Sequence, residues 1–212
     1  DSLSTIKPEK IVLVLGPDMD AVSEAVSEAG FTVETVIQQD RLGTGHAVRQ
    51  AESVLAGYTG NILVLYGDSP LITAETMADV LDARTGKDNP AVVVLSFRPF
   101  EPGDYGRLNL DEAGDLVSIV EAKDASDDEL ANDLCNSGFM AIDGALLSDL
   151  TAKLSNDNAK GEYYLTDLVG LATEAGRNCA FVECDEEETI GINSRSELAE
   201  AETILQDRLR EA

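Results

Sequence analysis

Apolar residues in this chain gather in short runs separated by polar segments of helical period. Ile11–Leu15 (IVLVL) is a continuous apolar run ending at Gly16 and Pro17. Such a run suits a strand buried on both faces, as in a parallel sheet. Asp18 is placed to cap the next segment, where Met19, Val22, Ala25 and Val26 form a helical stripe ended by Gly30. Phe31–Ile37 is rich in β-branched residues and predicts a second strand. A tight loop at Gly43–Gly45 precedes a predicted helix over His46–Leu55, with Ala47, Ala51 and Val54 or Leu55 facing inward. Asn61–Leu65 predicts a third buried strand, Thr73–Ala83 a helix and Ala91–Phe97 a fourth strand.

This alternation with short connections predicts a layered α/β fold with a largely parallel sheet. The pattern then changes. Arg107–Leu110 and Leu116–Val120 flank the turn DEAGD, which is a hairpin signal. Phe139–Ile142 predicts a strand, Ala145–Leu154 and Leu165–Ala175 helices, and Cys179–Glu183 another strand. Ser194–Arg210 predicts a charged terminal helix with a capping box from Ser194 to Glu197. The acidic stretches Asp124–Glu129 and Asp185–Glu188 read as exposed turns, and Asp1–Lys10 as polar and irregular.

Charge changes the picture. Fifteen Lys and Arg face 41 Asp and Glu, a net −26. That disfavours binding to nucleic acid or to an anionic membrane. A small phosphorylated ligand can still bind where local cations, backbone N–H groups or a metal ion meet it. Three cysteines, Cys135, Cys179 and Cys184, match no zinc or CxxC spacing and predict reduced, mostly buried thiols in a cytoplasmic protein. No apolar run is long enough to span a bilayer.

Several polar residues lie at the ends of buried elements. Asp68 follows a strand end, where open α/β sheets place ligands. It reads either as a Mg²⁺ ligand or as a turn aspartate. Gly43, Thr44 and Gly45 read either as open N–H donors for a base or phosphate or as a plain turn before a helix. His46, the only histidine, reads as structural rather than catalytic. Taken from the residues alone, these positions indicate an α/β domain for a small polar, phosphorylated ligand, with Mg²⁺ a candidate cofactor.

Seven segments add a resemblance. They are QQDRLGTGHA at 38–47, LYGDSPL at 65–71, DYGR at 104–107, IVEAKDA at 119–125, NSG at 136–138, GEYYLTD at 161–167 and GIN at 191–193. In order and spacing they resemble the uridyltransferase domain of the bacterial bifunctional N-acetylglucosamine-1-phosphate uridyltransferase/glucosamine-1-phosphate acetyltransferase family. The resemblance implies a Rossmann-like nucleotidyltransferase fold, a mixed and mostly parallel sheet flanked by helices with a small β-ribbon insertion. It treats residues 1–212 as one N-terminally incomplete domain ending in a helix over 194–212.

The resemblance also implies roles. Gln38, Gly43 and Thr44 would recognise uracil. Tyr66 and Gly67 would line the nucleotide–metal region, and Asp68 and Asn193 would hold Mg²⁺. Gly106, Glu121 and Asn136 would contact N-acetylglucosamine, with Tyr164 and Thr166 nearby. The implied reaction joins UTP and N-acetylglucosamine 1-phosphate into UDP-N-acetylglucosamine and pyrophosphate, by in-line attack on the α-phosphorus.

The family's opening strand and basic glycine-rich loop have no match here, and neither does its hexapeptide-repeat acetyltransferase domain, which mediates oligomerisation. The expectation is therefore a chain inactive without that loop, whose partner is a missing N-terminal fragment. The alternatives are a non-catalytic UDP-sugar-binding module or half of a split enzyme.

Overall fold

The computed structural model describes residues 2–211; Asp1 and Ala212, the ends of the expected domain, lie outside the described residues. The described residues form eight strands and eight helices, alternating except at β4–β6 and α6–α7. The first third holds α1 (Ser2–Ile6), β1 (Val12–Leu15), α2 (Asp20–Glu28), β2 (Glu34–Ile37), α3 (Thr44–Ala51) and β3 (Asn61–Val64). Then come α4 (Ala74–Arg84), β4 (Val92–Phe97), the hairpin β5 (Arg107–Leu110) and β6 (Leu116–Val120), α5 (Asp127–Leu130) and β7 (Cys135–Asp143). The chain closes with α6 (Leu147–Thr151), α7 (Asp167–Glu174), β8 (Cys179–Glu183), a 3-10 turn at Glu186–Thr189 and α8 (Arg195–Glu211).

The fold is α/β with a mixed sheet flanked by helices, as expected. Six strands run in the order β6-β5-β7-β4-β8, with β3 pairing to β7. β4 is parallel to β8, while β7 is antiparallel to β3, β4 and β5. It follows that β3, β4, β5 and β8 point one way and β6 and β7 the other. β7 is interposed among strands that share a direction, so most hydrogen-bonded neighbours are antiparallel although most strands are co-directional.

β4 is the centre of the core. All six of its residues are buried, and β-branched Val92, Val93 and Val94 fill both faces of the sheet. One face packs Met140, Ile142, Leu165 and Leu168; the other packs Phe139, Met77 and Val80.

The run IVLVL behaves otherwise than expected. β1 pairs in parallel with β2 as a separate two-stranded sheet, and only Leu15 is fully buried. Pairing with a single short strand leaves the other edge of β1 without a sheet partner among the described residues, which accounts for its half-burial. The helix α3 packs against both strands.

Local chemistry explains some of the boundaries. Thr73 caps α4 by accepting from the Thr76 amide at 3.1 Å. Asp18 does not cap α2; its φ is +60° and Met19 holds the cap position with no side-chain bond. α3 begins at Thr44, two residues before the expected start. The end of the acidic stretch 124–129 enters the short helix α5, which opens on a capping box between Ser126 and Glu129. Glu188, expected in an exposed turn, is buried, and its carboxylate accepts from the Thr73 amide and the Thr76 hydroxyl, both at 2.9 Å. Residues 2–6, expected to be irregular, are helical. All three cysteines are free; Cys135 and Cys179 are buried, and Cys184 is half-buried. Among the described residues no helix is long and apolar enough to cross a membrane.

Candidate functional site

The loop from Gln38 to Thr44 leaves β2 and enters α3. It is fastened by residues 163–165. Tyr163 N–H donates to Leu42 O at 2.8 Å, Gly45 N–H to Tyr163 O at 2.8 Å, and Leu165 N–H to Thr44 Oγ1 at 3.0 Å. This close approach requires glycine. A Cβ on Gly43 would lie 2.7 Å from Tyr163 O, and its φ is +102°. Gln38 Nε2 donates to Gly43 O at 3.0 Å, which sets the amide across the loop.

Tyr66 follows β3 and meets this loop. The Thr44 side chain lies close to its hydroxyl and favours the phenolate, but burial outweighs it. Desolvation pushes the phenol up to about 12, with the nearby charges of Glu121 and Asp68 adding to the shift. Tyr66 is therefore a neutral phenol at physiological pH. Its ring packs edge-on to Phe139 and lies over Gly138, where a Cβ would sit 2.5 Å from Tyr66 Cε2.

Gly138 belongs to a bulge in β7. Register with β4 shifts between Val94, opposite Met140, and Ser96, opposite Asn136. The Ser137 hydroxyl donates to Leu95 O at 2.6 Å, and Gly138 N–H donates to Asn136 Oδ1 at 3.0 Å. The strand thus runs through NSG instead of starting after it. Asn136 N–H donates to Gly106 O at 2.9 Å, which places the turn before β5 beside the bulge.

Glu121 follows β6 and accepts from the Thr166 hydroxyl at 3.0 Å through Oε1. Tyr164 reaches a different carboxylate: its hydroxyl donates to Asp124 Oδ2 at 3.3 Å. Desolvation, together with Asp124 and Glu121, pushes the Tyr164 phenol up to about 12. Burial first, then Glu121 and Asp124, raises the Asp167 carboxyl at the start of α7. Asp124, Asp167, Gly138 and Tyr163 lie within the motif segments, but sequence patterning assigns them no role. Asp124 sat in an apparently solvated acidic run, and nothing local reports that Tyr164 turns toward it.

Asp68 and Asn193 lie on separate segments brought side by side: Ile192 N–H donates to Asp68 O at 2.7 Å. Both residues are exposed. Among the described residues the Asp68 carboxylate accepts only from its neighbour Ser69, at 3.4 Å. A free carboxylate and an amide oxygen are hard donors that suit Mg²⁺. Among the described residues no group of three or more His, Cys, Asp or Glu could hold a metal, so an ion here would take its remaining ligands from phosphate and water. Gly67 has open space where a side chain would go.

The loop after β2 and the ends of β3, β6 and β7 thus form one polar cluster, joined through Thr44, Tyr66 and Gly138. It contains amide, hydroxyl and carboxylate groups of the kind that read a base edge and a sugar.

Comparison with known proteins places the chain in a family. The chain is similar to proteins named bifunctional protein GlmU. That of Rhodospirillum rubrum is 53% identical over 99% of this chain and 46% of its own length. That of Paramagnetospirillum magneticum is 53% identical over 100% and 46%. That of a Ruegeria species is 45% identical over 97% and 45%. The chain spans just under half the length of these relatives. The family described as MobA-like NTP transferase domain matches residues 1–121, and the chain belongs to that family of nucleotidyltransferase domains.

Proposed function

We propose that the cluster binds UDP-N-acetylglucosamine and its precursors, UTP and N-acetylglucosamine 1-phosphate, as the nucleotide and sugar subsites of a uridyltransferase. The observation that carries this reading is the joining of the Gln38–Thr44 loop to Tyr66, Glu121 and Asn136 in one polar surface. Gln38 and the Gly43–Thr44 backbone read uracil. Glu121 Oε1 is engaged by Thr166, which leaves Oε2 to accept from a sugar hydroxyl. Tyr66, neutral at working pH, lines the join between the two halves.

In the reaction, an oxygen of the sugar phosphate attacks the α-phosphorus of UTP. A new P–O bond forms while the bond to the β-phosphate breaks, and pyrophosphate leaves. The attacking oxygen is already anionic, so no strong base is required. The residues act by alignment. Asp68 and Asn193 would hold Mg²⁺, which supplies charge neutralisation between the two anions when bound.

Asp68, Glu121, Asp124 and Asp167 make the cluster acidic, so a triphosphate needs further counter-charge. In this reading a basic glycine-rich loop on another segment provides it, and the chain alone binds product without turnover. A cytoplasmic setting and a role in cell-wall precursor synthesis belong to the same proposal.

The test is calorimetric titration of UDP-N-acetylglucosamine into the chain with Mg²⁺, beside Asp68→Ala. Binding that weakens about tenfold or more in the variant, and equals it in EDTA, supports the reading. A folded chain that binds nothing sinks it.

A further inference from the structure

His46 takes no part in the chemistry above, yet its ring sits between two amides. Gln38 Nε2 lies 3.1 Å from Nδ1, and Gln50 Nε2 lies 3.2 Å from Nε2. Each amide nitrogen also faces a backbone carbonyl, Gly43 O at 3.0 Å and His46 O at 3.1 Å. A carbonyl only accepts, so both amides must turn their NH₂ toward it. A neutral imidazole has one lone pair and one N–H, so it cannot accept from both amides at once.

The ring itself is held firmly. Tyr163 stacks on it with centroids 6.2 Å apart and planes 29° from parallel. The Arg49 guanidinium lies 4.4 Å over the Tyr163 ring and donates to Thr151 O and Leu154 O. The imidazole is therefore a fixed fitting, and the question is which amide takes its lone pair.

We infer that His46 is a positioning residue: its Nδ1 lone pair accepts from Gln38 and fixes that amide so that its oxygen alone faces a bound nucleobase. Both Gln38 N–H groups are then used, one on Gly43 O and one on His46. No protein donor reaches Gln38 Oε1 among the described residues. A fixed acceptor selects a base edge that donates. Uracil carries N3–H, whereas cytosine carries a lone pair on N3. The His46 ring would thus set uridine-over-cytidine selectivity without touching the nucleotide. Gln50, which among the described residues meets only the ring and its own helix carbonyl, is the amide that yields.

This inference rests on Gln38 reading the base, and the experiments separate the two. Because the chain has a single histidine, ¹⁵N-labelled protein gives ring-nitrogen signals from His46 alone. With the imidazole neutral, the expected spectrum shows an unprotonated Nδ1 and a protonated Nε2, and Gln38→Ala shifts the Nδ1 signal. A protonated Nδ1 in the neutral ring overturns the inference, whether or not any nucleotide binds.

Selectivity is then read as the ratio of CDP to UDP dissociation constants in calorimetry. Gln38→Ala is expected to lower that ratio about tenfold, and His46→Ala to lower it nearly as much. His46→Asn, whose side-chain oxygen can stand where Nδ1 stands, should restore most of the ratio. Loss in Gln38→Ala with none in folded His46→Ala overturns the positioning role. No loss in either variant, or no nucleotide binding by the unsubstituted chain, overturns the reading of Gln38 as a base contact. If His46→Ala fails to fold, His46→Asn decides: a ratio as low as that of Gln38→Ala, in a folded protein, counts against the lone-pair contact.

Discussion

The six-stranded sheet and the two-stranded β1–β2 layer are built from similar apolar runs but hold together differently. β4 has a strand on each side and helices over both faces, and every one of its residues is buried. β1 has one partner and one covering helix, and three of its four residues stay half-exposed. Apolar sequence alone does not make a core; the number of neighbours does. The candidate site spans both regions. Gln38 and Thr44 hang from the thin layer, whereas Tyr66, Glu121 and Asn136 are set by the thick one. What couples them is the backbone pairing of Leu42 and Gly45 with Tyr163, the bond from Leu165 N–H to the Thr44 hydroxyl, and the closeness of Thr44 to Tyr66.

The sharpest way to break this contrast is a matched pair of truncations. Phe139→Ala, at a position 1% exposed, should cost about 3–5 kcal/mol in urea unfolding. Val14→Ala in β1 should cost about 1 kcal/mol, since its side chain is only half removed from water. Equal costs would mean that the two regions form one core.

Next comes the coupling itself. Gly43→Ala puts a Cβ 2.7 Å from Tyr163 O in a left-handed conformation, and should cost about 1–3 kcal/mol. It should also abolish UDP-N-acetylglucosamine binding in calorimetry. Retained binding would show that the loop does not need the 163–165 pairing. Thr44→Val leaves the Leu165 amide without its acceptor. It should lower stability by about 1 kcal/mol and speed amide exchange at Leu165, with little change at Val94.

The smallest effect is electrostatic. The Asp167 carboxyl titrates above its unfolded value of about 3.9. Stability associated with its neutral form is full below that value and declines as pH rises through the folded one. Asp167→Asn removes the decline. Measured by urea unfolding, the variant should gain on the unsubstituted chain between pH 4 and pH 7. A difference constant with pH would mean that neither burial nor the charges of Glu121 and Asp124 raise this group.

Much of the architecture was legible because strand signals are strong where burial is complete. β5, β6 and β8 fall on their expected bounds. β7 was read too short because a bulge keeps Asn136–Gly138 in the strand despite its turn-forming residues. The burial of β1 was overestimated because a run of apolar residues states what can be buried and says nothing of how many strands lie alongside. At the site, motif residues such as Gln38, Tyr66 and Glu121 could be marked in advance. Their partners could not. Glu188 bonding Thr76 and Tyr164 choosing Asp124 are relations across 112 and 40 positions of chain, with no local pattern to signal them.

The interposed strand β7 has a consequence for how the protein is made. β3 ends at Val64 and β4 at Phe97, but their shared neighbour is complete only at Asp143. On the ribosome, both early strands emerge and wait, apolar and unpaired, while roughly another four dozen codons are read between Phe97 and the end of β7. The hairpin β5–β6 is synthesised in that interval and can close by itself, since its register is local. The nascent chain should therefore carry a folded ribbon ahead of an unformed sheet. A ribosome pausing before Cys135 would hold two sticky strands in the open, where a chaperone would find them.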